Sequence, residues 1–110
     1  MIQSYGGGRF RIGGETYEGS VLVGREETNL WPVIDAGAIT LDGLEPVLDE
    51  PGILVVGCGT EFMAPPTDLR IDLKSRGIIL EWMGTGAACR TYNVLLTEER
   101  EAIAALISVD

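Results

Sequence analysis

Apolar positions along this chain follow two rhythms, and the change between them marks where strands give way to helices. The N-terminal part favours short strands. Arg9 to Ile12 and Glu15 to Glu18 flank Gly13-Gly14, and paired glycines accept the positive φ that a two-residue turn needs, so a hairpin is expected. Ser20 to Val23 adds a β-branched run. Trp31 to Ile34 adds another, with Pro32 pointing to a strand start or a sheet edge.

Helical spacing begins at Thr40, a good N-cap for a short helix carrying Leu41, Leu44, Val47 and Leu48 and ended by Pro51-Gly52. Ile53 to Gly57 is continuously apolar, the pattern of a strand covered on both faces. After the Cys58 to Pro65 loop, a helix from about Pro66 to Ser75 would bury Leu69 and Leu73, with Gly77 as its C′ stop. Ile78 to Met83 is then a strand, which completes a right-handed βαβ unit. Gly84-Thr85-Gly86 opens a second helix with Ala88, Tyr92, Leu95 and Leu96 on one stripe, ending near Thr97. Ala102 to Val109 fits a helix by propensity and a buried strand by length, and its pattern leaves both open. Trp82 alternates with Ile78 and Leu80, which favours core packing over an exposed docking surface. For Trp31, beside proline near an expected edge, core packing and an exposed docking surface both fit.

Composition narrows this to one α/β domain spanning residues 1–110, with 45% hydrophobic residues spread along the chain. The longest apolar run falls far short of the roughly 20 residues that cross a bilayer, and Met1 to Phe10 lacks a secretory pattern. A cytoplasmic protein without a membrane span is expected. Seventeen acidic residues against eight basic ones give a net charge of −9, which repels polyphosphates, so no nucleic-acid partner is expected. The chain has no histidine, which removes Ser-His-Asp and Cys-His catalysis and imidazole metal sites. Its two cysteines, Cys58 and Cys89, form no CxxC motif and are too few for a thiolate zinc site. No metal or cofactor is implied.

The segment from Gly84 to Leu96, GTGAACRTYNVLL, resembles the signature of a small α/β family of undefined biochemical function, the DUF498 type. That family includes the mitochondrial respiratory complex I assembly factor 3 and adipogenesis-associated domain proteins. Tyr5-Gly6-Gly7, Tyr17 to Ser20, Trp31, the strand into Gly57-Cys58-Gly59 and Leu69-Arg70 before Gly77-Ile78 match as well, so the resemblance covers nearly the whole chain. Cys58 departs from the pattern, which generally has a hydroxyl residue there. The resemblance implies a central mixed five-stranded sheet with a βαβ unit, flanking helices and an additional N-terminal β layer. It also implies that Ala102 to Ile107 is the last strand, antiparallel to its neighbours.

Ligands of open α/β sheets bind outside the carboxyl ends of parallel strands, which here are the Gly57-Cys58-Gly59 and Gly84-Thr85-Gly86 junctions. Glycines let a ligand approach the backbone, and the following helix offers free N–H groups. Arg90, Asn93 and Thr97 share a helix face, where a guanidinium and an amide would hold a carboxylate or phosphate. The alternative is structural, with Arg90 paired to an acid and Asn93 tying down a loop. Cys89 beside Arg90 is either a packed thiol or, with a lowered pKa, a reactive one, and would pair with Cys58 only if the loops share a crevice. The candidate ligand or partner site is therefore Cys58, Gly59, Thr85, Gly86, Cys89, Arg90 and Asn93. With no catalytic set recognisable, two functions compete: an interaction or assembly domain with a protein partner, and a small-anion binder or small enzyme using that crevice. A homodimer is compatible with either.

Overall fold

The computed structural model describes all 110 residues. In chain order the strands and helices are β1 (Ile2–Gly6), β2 (Arg9–Ile12), β3 (Glu15–Glu18), β4 (Val21–Val23), β5 (Thr28–Leu30), α1 (Leu41–Leu44), β6 (Gly52–Gly57), α2 (Leu69–Lys74), β7 (Ile78–Met83), α3 (Thr85–Thr97) and β8 (Ala102–Leu106). The first three strands form an antiparallel sheet of their own. The other five make a mixed sheet in the order β5-β4-β8-β6-β7. This is the expected α/β architecture, with the N-terminal β layer as a separate sheet.

The continuous apolar run behaves as its pattern requires. β6 lies between parallel neighbours β7 and β8, and Ile53 to Gly57 are all buried. Alternation sends Leu54, Val56 and Cys58 into one core and Ile53 and Val55 into another. From β6 the chain moves to β7 through α2, then back past β6 to β8 through α3. Two right-handed connections running in opposite directions must pass over opposite faces. Leu69 and Leu73 of α2 accordingly belong to the first core, and Ala88, Cys89 and Tyr92 of α3 to the second.

Ala102–Leu106 is a strand despite its helix propensity. All five side chains are buried, and its alanines fit between layers that larger residues would force apart. The antiparallel arrangement holds only towards β4; towards β6 the strand is parallel. Trp31 to Ile34 is not a strand, because pairing with β4 comes from Thr28–Leu30 and ends after Trp31 N–H donates to Ser20 O at 2.8 Å. Pro32, next in line, has no N–H with which to continue. Trp31 itself is core, at 4% exposure.

Thr40 caps α1 as expected, accepting the Gly43 N–H at 3.1 Å, but the helix stops at Leu44 and passes into a 3₁₀ turn at Glu45–Val47 that contains Pro46. α2 begins later than its apolar spacing suggests. Asp68 has a left-handed φ of 70°, so Pro66 to Asp68 are not helical. Gly77, at φ 76°, ends the segment as predicted. β1 escapes sequence reading because three of its five residues are exposed and show no apolar alternation.

Candidate functional site

The loops after β6 and β7 diverge to opposite faces of the sheet, and between their roots lies a crevice of about 340 Å³ lined by Gly59, Thr60, Gly84, Gly86 and Tyr5. It occupies a topological switch point, the position where open α/β sheets generally receive ligands. Its geometry rests on Thr85. The Thr85 hydroxyl is wholly buried, accepts the Gly59 N–H at 3.0 Å and donates to Ile107 O at 2.7 Å. Thr85 N–H in turn donates to Gly59 O at 3.0 Å. One side chain thus locks the ends of β6 and β8 to the first residue of α3.

The glycines serve close approach. A Cβ at Gly57 would lie 2.9 Å from both Cα and Oγ1 of Thr85, and one at Gly86 would lie 2.6 Å from the Tyr5 hydroxyl. Gly84 precedes α3 without a capping side chain. Val109 and Asp110 line the same crevice, which places a carboxylate beside the positive end of the helix.

Cys58, Cys89, Arg90 and Asn93 are arranged differently. Cys58 turns into the first core, with its Sγ 3.7 Å from Glu61 O. Cys89 is buried in the second core, on the opposite face, so the two free thiols form no pair. Burial pushes the Cys89 thiol up to about 11, against a smaller lowering by Arg90, so it stays protonated and weakly nucleophilic at neutral pH.

Asn93 ties down a strand. Its Oδ1 accepts from Ile2 N–H and its Nδ2 donates to Ile2 O, both at 2.8 Å, which fastens β1 to α3. Arg90 is exposed, makes no ion pair, and lines a shallow cleft of about 330 Å³ with Ser4, Tyr5, Cys89 and Asn93. The structure therefore brings Gly59, Thr85 and Gly86 together, sets Cys89, Arg90 and Asn93 in the adjoining cleft, and turns Cys58 away. Tyr5 joins both clefts and, like Thr60, Val109 and Asp110, is a lining residue that sequence reading missed; the room left by Gly86 is the signal that could have suggested a close neighbour.

The opposite end of the sheet holds a second cluster that sequence reading passed over. Arg25, at 17% side-chain exposure, reaches Glu101 at 3.2 Å, Asp49 at 3.3 Å, Glu50 O at 3.2 Å and Pro51 O at 2.6 Å. These partners lie 24 to 76 residues away, where no spacing rule reaches. No group of three or more His, Cys, Asp or Glu residues could hold a metal ion, and no helix is long and apolar enough to cross a membrane.

These features define a class: a mixed five-stranded α/β sheet with an antiparallel N-terminal layer, whose strand-end crevice is shaped by glycines and one buried hydroxyl. Residues 2–107 match the family described as "Protein of unknown function (DUF498/DUF598)", and the chain belongs to it. An uncharacterized protein of Rhodobacter capsulatus is 35% identical over 106 residues, covering 96% of this chain and 82% of that protein. The Danio rerio protein named NADH dehydrogenase [ubiquinone] 1 alpha subcomplex assembly factor 3 is 34% identical over 97% of this chain, which spans 63% of that protein's length. Among solved structures, one described as an outer membrane protein from Bartonella henselae superposes with a TM-score of 0.90 at 33% identity, over 99% of this chain and 94% of that one.

Proposed function

We propose that this protein is a non-catalytic interaction domain that serves the assembly of a larger protein complex, with respiratory or other membrane complexes as the target class. The observation that carries this reading is the loop after β6. Phe62 and Met63 are 67% and 47% exposed, yet their backbone is held in place, because Trp82 Nε1 donates to Met63 O at 2.6 Å and Cys58 Sγ lies against Glu61 O. Apolar side chains displayed on a fixed backbone lose little freedom when a partner covers them. The polar groups best placed for chemistry, Thr85 and Asn93, are meanwhile engaged inside the fold. The name of the zebrafish relative supports the assembly class.

Affinity capture at native abundance, paired with native gels of respiratory complexes from a deletion strain, tests this. A partner that is captured by the wild type and lost with Phe62→Ser/Met63→Ser, together with reduced complex assembly, is expected. No stable partner and unchanged complexes would reject the proposal.

Arg90 favours a second reading, a small-anion site beside the start of α3, because its guanidinium has no acidic partner in a chain of net charge −9. Inorganic phosphate would then raise the melting temperature of the wild type and not of Arg90→Ala. Light scattering tests homodimerisation, and cell fractionation tests the cytoplasmic location this reading assigns.

A further inference from the structure

Away from the strand-end crevices, a cleft of about 550 Å³ opens where the β2–β3 turn, the β4–β5 turn and the last turns of α3 meet. That volume lies within the range of small-ligand sites. Ile12, Val23 and Leu96 give it an apolar floor, and Tyr17 and Tyr92 contribute aromatic rings.

Tyr92 is the informative residue. It is 4% exposed, yet its hydroxyl has no hydrogen-bond partner within the chain, and it is not sealed away, since the one sealed and unpartnered side-chain polar atom is Trp31 Nε1. A phenol so deeply buried ordinarily finds a partner. Tyr92 borders the cleft. Burial raises its pKa with no hydrogen bond among the causes, so the phenol oxygen stays neutral.

Carboxylates outnumber the cationic groups around it, which are Arg25 and the Met1 N-terminus. Glu15, Glu26 and Glu27 line the cleft and none forms an ion pair. Tyr17 donates to Glu15 Oε2 at 3.0 Å, which orients that carboxylate and raises the phenol's own pKa. Arg25 is the one cationic side chain in the lining, and its guanidinium is turned to Asp49, Glu101 and two backbone carbonyls. The carboxylates do not converge as a metal site requires. Dispersed negative charge over an apolar floor, with aromatic faces and a free phenol oxygen, instead suits a cation that carries methylenes.

We propose that this cleft binds an alkylammonium group, supplied either by a free polyamine or by a lysine side chain of a protein segment. The ammonium meets the carboxylates and the Tyr92 oxygen, and its methylenes lie on Ile12, Val23 and Leu96. The assignment is independent of the Phe62 and Met63 loop.

Amide chemical shifts of the intact chain, titrated with spermidine and separately with N-acetyl-lysine methylamide, test it. Saturable shifts confined to the amides of Gly13, Gly24, Thr28 and Leu96 are expected with at least one probe. Tyr92→Phe should weaken binding about two- to fivefold with no loss of melting temperature, and Glu26→Gln/Glu27→Gln by at least as much. Response to spermidine alone identifies a polyamine site, and response to the lysine derivative identifies a protein lysine. Shifts spread over the whole acidic surface, or affinities unchanged in both variants, would overturn the proposal, because they would reduce the effect to general attraction by the net charge.

Discussion

The two ends of the five-stranded sheet solve one problem with different chemistry. At the carboxyl end of β6, Thr85 joins three elements through neutral bonds to Gly59 N–H and Ile107 O, with no solvent exposure. At the amino end, Arg25 joins the β4–β5 turn to the segment before β6 and to the α3–β8 loop, through two carboxylates and two carbonyls, under partial exposure. Each clamp is served by a nearby glycine. A Cβ at Gly52 would meet Glu101 O at 2.7 Å and Arg25 Nη2 at 2.8 Å, as one at Gly57 would meet Thr85. Buried neutral bonds ignore salt and leave costly orphans when broken, whereas exposed ionic ones respond to salt and can be replaced by water. The carboxyl end is therefore the one held by bonds that salt does not weaken, and it is also where the crevice lies.

The largest test is Thr85→Val, which keeps the shape and removes the hydroxyl, orphaning Gly59 N–H and Ile107 O. A loss of about 2–4 kcal/mol in urea unfolding, equal at low and high salt, is expected. A loss under about 1 kcal/mol would mean that the hydroxyl is not the clamp.

Next comes pH at the same end. The Cys89 pKa is raised from 9.0 to about 11 in the folded protein, so the folded state holds its proton longer than the unfolded chain. The resulting stability is complete below about pH 9 and declines towards pH 11 by about 2 kcal/mol. Cys89→Ala should remove that part of the slope. Thiol titration gives a companion measurement, with slow reaction in the native protein and two free thiols after denaturation.

Arg25→Met should have the smallest effect, about 1–2 kcal/mol, because water can reach the carbonyls it releases. Its diagnostic is salt. The stability gap between wild type and variant should narrow from low to high ionic strength. Equal salt responses would erase the distinction between the two ends.

Much of this arrangement is legible in the sequence, for reasons that differ by residue. Ile53 to Gly57 announces a doubly covered strand because continuous burial leaves continuous apolarity, and Gly77 announces a helix stop because its left-handed φ suits glycine. The crevice at Gly59, Thr85 and Gly86 follows from a rule about strand ends that needs only the order of elements. Ala102–Leu106 resists reading because alanine favours helices in isolation, and only the layers on either side of it make a strand preferable. The partner of Asn93 is 91 residues away, and no local pattern encodes such a pairing. The opposite placement of Cys58 and Cys89 was readable in part. Once β8 is known to lie on the far side of β6 from β7, handedness alone puts the two helices on opposite faces.

The place of β8 in the strand order also sets a timetable. Nothing hydrogen-bonds β4 and β5 to β6 and β7 except the strand between them, Ala102–Leu106, which is the last of the eight to be synthesised. Until that strand is made, the edges of β4 and β6 with which it pairs lack their partner. Such edges are the surfaces on which chains mispair. The five-stranded sheet can be complete only once Ala102–Leu106 is available to pair with both β4 and β6.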